Sequence, residues 1–205
     1  MAEQENKEKT AGQKLKDELF YKSKNTYEAL SEEDIAAAYD YAADYMKFLD
    51  GGKTERECVK EGVALLEAAG FSPYTFGMKV VPGGKSSYNH RGKSLSAFVL
   101  GTESLENGVY FPAAHIDSPR VDLKQHPLYE AEGLGFLKTH YYGGIKKYQW
   151  TTIPLALHGV VTRADGTTVE LVIGEDDTDP VFYIDDLLPH LAGDQMRKSL
   201  ADGIN

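Results

Sequence analysis

The chain has 205 residues, of which 41% are hydrophobic and 26% are charged. This composition is ordinary for a folded globular protein and excludes a largely disordered chain, and the length suffices for one domain and part of a second. The formal net charge of −10 is spread along a sequence without a basic stripe. It excludes a general nucleic-acid binder, because affinity for a polyanion depends on clustered Lys and Arg.

The amino terminus and the cysteine content indicate a cytoplasmic protein. The segment MAEQENKEKTAGQKLKDE lacks the apolar core of a signal peptide, and no later run reaches the ~18–20 apolar residues that span a bilayer. Cys58 is the only cysteine, which excludes an intramolecular disulfide and a Cys-based zinc site and favours a buried structural thiol. We expect residues 1–12 to be a mobile tail and order to begin near Leu15.

Two amphipathic helices are predicted in the first third of the chain. Each begins with a capping-box pattern, in which a Ser or Thr is followed three residues later by an acidic residue, and each ends at glycine. The boundary residues are Ser31, Asp34, Gly51 and Gly52 for the first helix, over 31–50, and Thr54, Glu57 and Gly70 for the second. Both helices carry an apolar face that requires a packing partner.

After Pro82 the pattern changes to short apolar runs that predict strands. The run VYFPAAHI is apolar on both faces, which is typical of a central strand covered by helices on each side of an α/β sheet. Asp165-Gly166 predicts a hairpin turn. The predicted strands are Leu95–Leu100, Val109–His115, Leu134–Tyr142, Ile153–Thr162 and Thr168–Ile173, and a short helix is predicted over residues 187–205.

The order of these elements predicts two domains of different class. Helices and strands mix in the first part, whereas hairpins dominate after Val121. We place the junction between Asp122 and Tyr142 and divide the chain into 13–125, the first part of an α/β domain, and 126–205, a partial β-rich domain.

The most informative local signal is the pair His115 and Asp117 at the end of the predicted central strand. Ligand sites of open α/β sheets gather at the carboxyl ends of strands, and residues two apart in an extended chain point to the same side. A metal-binding histidine usually donates its second ring N–H to a carboxylate. His115 as ligand and Asp117 as its orienting group fit that pattern, although H-x-D alone equally describes a structural hydrogen-bonded pair.

Other chemistries have weaker support. Ser118 does not lie in a G-x-S-x-G elbow, and Gly143-Gly144 lacks the lysine and helix of a phosphate loop, so it indicates close packing or a bend instead. The remaining histidines show no H-E-x-x-H or similar helical spacing and are interpreted as surface or hydrogen-bonding residues. They are His90, His126, His140, His158 and His190.

Longer strings narrow the interpretation. AAHIDSPRVDL, KTHYYGGIKKYQW and IPLALHGVV occur in this order, with FYKSKNTYEALSEED and KFLDGGKTERE upstream. Together they resemble the bacterial branch of the aspartyl-aminopeptidase-like zinc metallopeptidases. The resemblance covers nearly the whole chain beyond the first dozen residues.

This resemblance implies an α/β catalytic domain, whose first part is residues 13–125 of this chain. It also implies that a β-rich domain, through which subunits form homo-oligomers, is inserted into the catalytic domain and begins here with residues 126–205. It also implies two zinc ions that activate a water for attack on the first bond of peptide substrates, with a glutamate as general base. The family's other zinc ligands and its general base follow the inserted domain. We therefore expect them beyond the end of this chain, and expect the chain alone to be truncated and inactive.

The resemblance assigns roles to three residues. His115 falls on the family's first zinc ligand, and Asp117 falls on the carboxylate that orients it. His190, in the string LLPHL, is similar to a Pro-His segment of the inserted domain that reaches the active site of a neighbouring subunit.

Two alternatives belong to other functional classes. A non-catalytic interaction protein would keep this portion in order to pair with a full-length relative through the oligomer interface. A carbohydrate- or peptide-binding β module would use an aromatic platform, although such aromatics more often pack within strands. The platform would consist of Tyr141, Tyr142, Tyr148 and Trp150.

Overall fold

The computed structural model describes residues 9–204 and divides the chain into two compact units, residues 1–47 and 48–205. Residues 1–8, which make up most of the predicted tail, lie outside the described residues. The described part of the first unit contains helix α1, Ala11–Leu19, a 3-10 turn at Thr26–Glu28, and most of helix α2, Glu32–Gly51. The last turn of α2 belongs to the second unit.

Helix α1 begins four residues before Leu15, where order was expected to begin. Thr10 and Gln13 form a capping box, with Gln13 N–H donating to Thr10 Oγ1 at 3.3 Å and Thr10 N–H donating to Gln13 Oε1 at 2.9 Å. These two bonds satisfy backbone donors that a helix start otherwise leaves unpaired.

Helix α2 begins as predicted, because the Asp34 N–H donates to Ser31 Oγ at 3.1 Å and the Ser31 N–H donates to Asp34 Oδ2 at 3.3 Å. Helix α3, Glu55–Ala68, begins at the predicted box of Thr54 and Glu57. It ends at Ala68 and is followed by Ala69 as the C-cap and by the predicted stop Gly70, whose φ of +83° suits a residue without a Cβ.

Helix α3 packs on a small mixed sheet. Strand β1, Ser72–Pro73, is parallel to β2, Lys85–His90, which is antiparallel to β3, Ser94–Val99. The predicted strand at 95–100 is therefore confirmed. On α3, Val59 is only 1% exposed. Cys58 is also buried and donates its thiol to the Gly52 carbonyl at 3.0 Å, which confirms the structural thiol.

The predicted central strand at Val109–His115 is wrong, since these residues form no strand. Val109, Tyr110 and Phe111 are 70%, 94% and 83% exposed. A strand that is apolar on both faces needs hydrogen-bonding neighbours and a layer on each side, and the described residues of this chain supply neither for this segment.

Two hairpins follow. Strand β4, Arg120–Ala131, pairs antiparallel with β5, Leu134–Tyr142, through a two-residue turn in which Glu132 and Gly133 both have positive φ. The sequence predicted β5 with its observed bounds but not β4. The register of β4 shifts between Leu123 and Leu128.

The second hairpin joins β6, Leu157–Thr162, to β7, Thr168–Ile173. Its turn is the predicted one: Gly166 has φ +85°, and Asp165 Oδ1 accepts from the Thr167 N–H at 2.9 Å. The strand predicted from Ile153 begins only at Leu157. Pro154 cannot donate to a ladder, and the residue after it, Leu155, forms an isolated bridge with Phe182 instead.

The short helix predicted over residues 187–205 is wrong. Residues 187–204, the described part of this segment, form turns and one 3-10 helix, Gln195–Arg197. Pro189 removes a backbone donor. Gly193 and Gly203 lower the helix propensity on either side of residues 194–202. The predicted division of the chain at 125/126 stays a prediction.

Candidate functional site

The segment that holds His115 and Asp117 is a loop that leads directly into β4. The His115 side chain is 83% exposed and that of Asp117 is 36% exposed. The loop therefore presents the imidazole to solvent and keeps the carboxylate closer to the protein. The pair does not lie at the end of a strand, contrary to the expectation from sequence, but the two side chains are in contact.

One ring nitrogen of His115 faces two acceptors. Its Nδ1 lies 3.0 Å from the Asp117 carbonyl oxygen and 3.2 Å from Asp117 Oδ1. A carbonyl can only accept, so Nδ1 must carry the proton for these bonds to form. In the neutral imidazole the Nε2 then holds the lone pair, and the exposure of the ring leaves it accessible. This is the tautomer that a metal-binding histidine requires.

The carboxylate of Asp117 has a second partner that comes from β5. The Tyr142 hydroxyl donates to Asp117 Oδ2 at 3.0 Å. This bond, followed by the bond from its own backbone N–H and by the proximity of His115, lowers the pKa of Asp117. The same bond raises the pKa of Tyr142, since its loss of a proton would place two negative charges side by side. Asp117 is therefore held as a carboxylate.

The Tyr142 ring is itself held by Arg120. The guanidinium carbon of Arg120 lies 4.2 Å from the ring centroid. Arg120 also pairs with Asp122 at 2.7 Å and with Glu55, the first residue of α3, at 3.1 Å. Beyond Tyr142, Gly143 has φ +74°, which confirms the predicted bend, and its α-carbon faces Pro119.

The donor set fits one position of a zinc site rather than a whole one. Structural and catalytic zinc sites use three or four protein ligands. Among residues 9–204, no group of three or more His, Cys, Asp or Glu side chains is arranged to hold a metal ion. The exposed Nε2 of His115 suits a single ligand, and the other ligands have to come from elsewhere.

His190 lies apart from this pair. It is exposed in a turn that follows the bridge between Thr151 and Ile184. Within the part of the chain that the structure describes, it forms no hydrogen bond or ion pair with His115 or Asp117. Its assignment to a site therefore remains a prediction.

A second histidine cluster lies elsewhere in the same unit. His158, on β6, has its Nδ1 2.7 Å from Glu57 Oε1 and its Nε2 2.9 Å from Glu175 Oε1. Burial acts to lower the pKa of His158, but the hydrogen bonds to both carboxylates outweigh it and raise the pKa. Both ring nitrogens are occupied by different carboxylates, so the three groups cannot share one ion. The sequence had placed His158 among hydrogen-bonding residues without indicating its partners.

Tyr142 and Arg120 were not recognised from the sequence as part of a site. Tyr142 appeared only as a member of a possible aromatic platform, and Arg120 only within a string. The strand pattern that predicted β5 was the one signal for the element that carries Tyr142, and it did not indicate the pairing with β4.

A family model described as aminopeptidase I zinc metalloprotease (M18) matches residues 48–204. A probable M18 family aminopeptidase 1 of Clostridium acetobutylicum is 44% identical over 188 residues, which are 90% of this chain and 40% of that protein. The chain therefore spans about 40% of the length of this relative. No helix within residues 9–204 is long and apolar enough to cross a membrane.

Two solved structures also align with most of this chain. The M18 aminopeptidase of Thermotoga maritima aligns with a TM-score of 0.80 at 40% identity, covering 91% of this chain and 40% of that chain. The S. cerevisiae mApe1 dodecamer aligns with a TM-score of 0.61 at 26% identity, covering 72% of this chain and 36% of that chain.

Proposed function

Because this chain belongs to the aminopeptidase I zinc metalloprotease (M18) family, we propose that it is the amino-terminal portion of a zinc aminopeptidase. The enzyme would hydrolyse the amino-terminal residue of peptides with a metal-activated water. The observation that carries this proposal is the geometry of His115, whose Nδ1 lies within hydrogen-bonding distance of the carbonyl and carboxylate oxygens of Asp117 while the exposed ring leaves Nε2 accessible.

In this proposal His115 is a zinc ligand and Asp117 is the carboxylate that orients it. The contact between the two residues supports these roles, since the second nitrogen of a metal-binding histidine usually meets a carboxylate or a carbonyl, and Nδ1 here meets both. Two zinc ions are proposed for the complete enzyme, with the remaining ligands and the general base supplied by residues outside this chain.

The segment 126–205 is proposed as part of a dimerisation domain, and His190 as a residue that acts in the site of a neighbouring subunit. The β6–β7 hairpin within this segment, residues 157–173, supports its β-rich character. The dodecamer formed by a solved relative supports a homo-oligomer. A cytoplasmic location is proposed from the single cysteine, a buried thiol that suits a reducing compartment.

The proposal predicts that the 205-residue chain is inactive alone. The test compares this chain with a longer form that carries the remaining portion found in its relatives, both supplied with zinc, by the release of amino-terminal residues from short peptides. We expect activity only in the longer form. His115→Ala should abolish that activity, whereas His90→Ala, at the exposed end of β2, should retain it.

Two results would contradict the proposal. Activity of the 205-residue chain would mean that it completes a metal site without other residues. A longer form that lacks activity and retains no zinc after dialysis would favour the alternative of a non-catalytic interaction protein, which co-sedimentation with a full-length relative would then test.

A further inference from the structure

The carboxylate beside His115 is held from both sides, by the imidazole at one oxygen and by Tyr142 at the other. We infer that Tyr142, fixed in place by Arg120, is a positioning residue that orients Asp117 and, through it, the His115 ring. This inference rests on the proposed function, in which His115 binds a metal ion.

The two oxygens of Asp117 have different partners. Oδ1 lies 3.2 Å from His115 Nδ1, and Oδ2 accepts from the Tyr142 hydroxyl at 3.0 Å. A carboxylate with a single partner can rotate about its Cβ–Cγ bond and exchange its oxygens. The bond from Tyr142 opposes that rotation and occupies an oxygen that water would otherwise compete for, since the Asp117 side chain is 36% exposed.

The fold explains why the hydroxyl is in this position. Tyr142 is paired with Arg120 at the open end of the β4–β5 hairpin, and Asp117 precedes Arg120 by three residues. The guanidinium covers the Tyr142 ring, and its ion pairs with Asp122 and Glu55 tie it to β4 and to α3. The phenol is therefore held by two secondary-structure elements, whereas the loop of His115 and Asp117 has no strand of its own.

Tyr142 is a positioning rather than a catalytic residue because its proton is already donated to Asp117. The nitrogen left for a ligand is His115 Nε2, on the far side of the ring from that bond. Loss of the hydroxyl should therefore free the Asp117 carboxylate to rotate and leave the Asp117 carbonyl as the one fixed partner of Nδ1, while the Tyr142 ring, its contact with Arg120 and the hairpin remain.

The first measurement is the tautomer of His115 in the 205-residue chain, by long-range proton–nitrogen NMR at about pH 8, where a free imidazole is neutral. Tyr142→Phe removes one hydroxyl, and Tyr141→Phe is the matched control. The control removes a hydroxyl from Tyr141, the residue of β5 that directly precedes Tyr142. Tyr141 is 58% exposed and lies near Lys147. We expect well-separated Nδ1–H and Nε2 signals in the parent and in the control, and a reduced separation in Tyr142→Phe, where the Asp117 carbonyl is the one fixed partner left to Nδ1. Equal spectra for the two variants would overturn the inference.

The second measurement is zinc affinity in the longer form, by competition with a chelator. Tyr142→Phe should weaken binding about tenfold relative to Tyr141→Phe, at the lower end of the effect of losing an outer-shell partner. If His115→Ala leaves zinc retention and hydrolysis intact, the proposed role of His115 fails. If His115→Ala removes both while Tyr142→Phe behaves like Tyr141→Phe, the positioning role alone fails.

Discussion

His158 joins three parts of the second unit that are far apart in the sequence. Its imidazole bridges Glu57, in the first turn of α3, and Glu175, just after β7. Only a protonated imidazolium can donate both ring N–H groups to two carboxylates at once. We therefore expect His158→Ala to destabilise the packing of the β6–β7 hairpin against α3.

The size of the loss follows from the exposure of each partner. The side chains of His158 and Glu57 are 12% and 25% exposed. A hydrogen bond between charged groups at such a site contributes about 1.5–3 kcal/mol. Glu175 is 46% exposed, so solvent screens its bond, which contributes about 0.2–1 kcal/mol. The free energy of unfolding should fall by about 2–4 kcal/mol in all.

The loss of stability in His158→Ala should depend on pH, in a direction set by the shifted pKa values of His158 and Glu57. The pKa of His158 is raised, so its contribution is fully present below the ordinary value of 6.5 and is lost as the pH rises through the folded-state pKa. Burial opposes the charge of Glu57, but the bonds from His158 and Thr54 outweigh it and lower the pKa. Its contribution is therefore present above the ordinary value of 4.5 and is lost as the pH falls through the lowered one. The bridge should contribute most between these values.

The assay is urea denaturation of the parent chain, His158→Ala and the control His90→Ala at about pH 6 and about pH 9. The difference between the parent and His158→Ala should be largest at the lower pH and should shrink at the higher one, where the neutral ring can donate only one bond. A difference that is the same at both pH values, or one that His90→Ala reproduces, would refute the reasoning.

Three further changes test the fold. Gly133→Val should lower the free energy of unfolding by about 1–2 kcal/mol, measured by calorimetry, because Gly133 has φ +75° in the β4–β5 turn. Val59→Ala should cost about 2 kcal/mol in urea denaturation, since Val59 is 1% exposed and the shorter side chain leaves a cavity beside α3. Phe111→Ser should reduce self-association in sedimentation without lowering stability, because Phe111 is 83% exposed.

Elements controlled by short-range interactions were predictable from the sequence. The box of Thr54 and Glu57 forms between residues three apart, and it gave the start of α3. The turn at Asp165-Gly166 depends on one positive φ and on one side chain that bonds two residues on, and it gave the β6–β7 hairpin. In both cases the interaction that fixes the structure is contained within a few adjacent residues.

Elements that depend on distant partners were not predictable in the same way. The apolar run at Val109–His115 has strand character, but a strand forms only where other strands accept its hydrogen bonds. Strand β4 shows the converse, since its polar sequence gave no strand signal and its structure comes from pairing with β5. The turn between them, Glu132-Gly133, is not one of the strong hairpin dipeptides.

The candidate site shows the same division. The contact between His115 and Asp117 was predictable, because residues two apart in an extended segment meet on one side. The bond from Tyr142 to Asp117 joins residues 25 positions apart, so it required the register of the β4–β5 hairpin to be known. No local pattern distinguishes Tyr142 from Tyr141, and only the alternation of the strand directs one of them toward the loop.

The two histidine clusters differ in what the second ring nitrogen, Nε2, contacts. His115 and His158 both bond a carboxylate through Nδ1, and nothing in the sequence ranks one above the other. In His158 the Nε2 is taken by Glu175 and the side chain is 12% exposed, so the ring is committed to the protein. In His115 both contacts are made by Nδ1 and the side chain is 83% exposed, so Nε2 remains for a ligand. His158 thus has the chemistry of a structural bridge and His115 that of a ligand, which is why the proposed function depends on His115 and the stability prediction on His158.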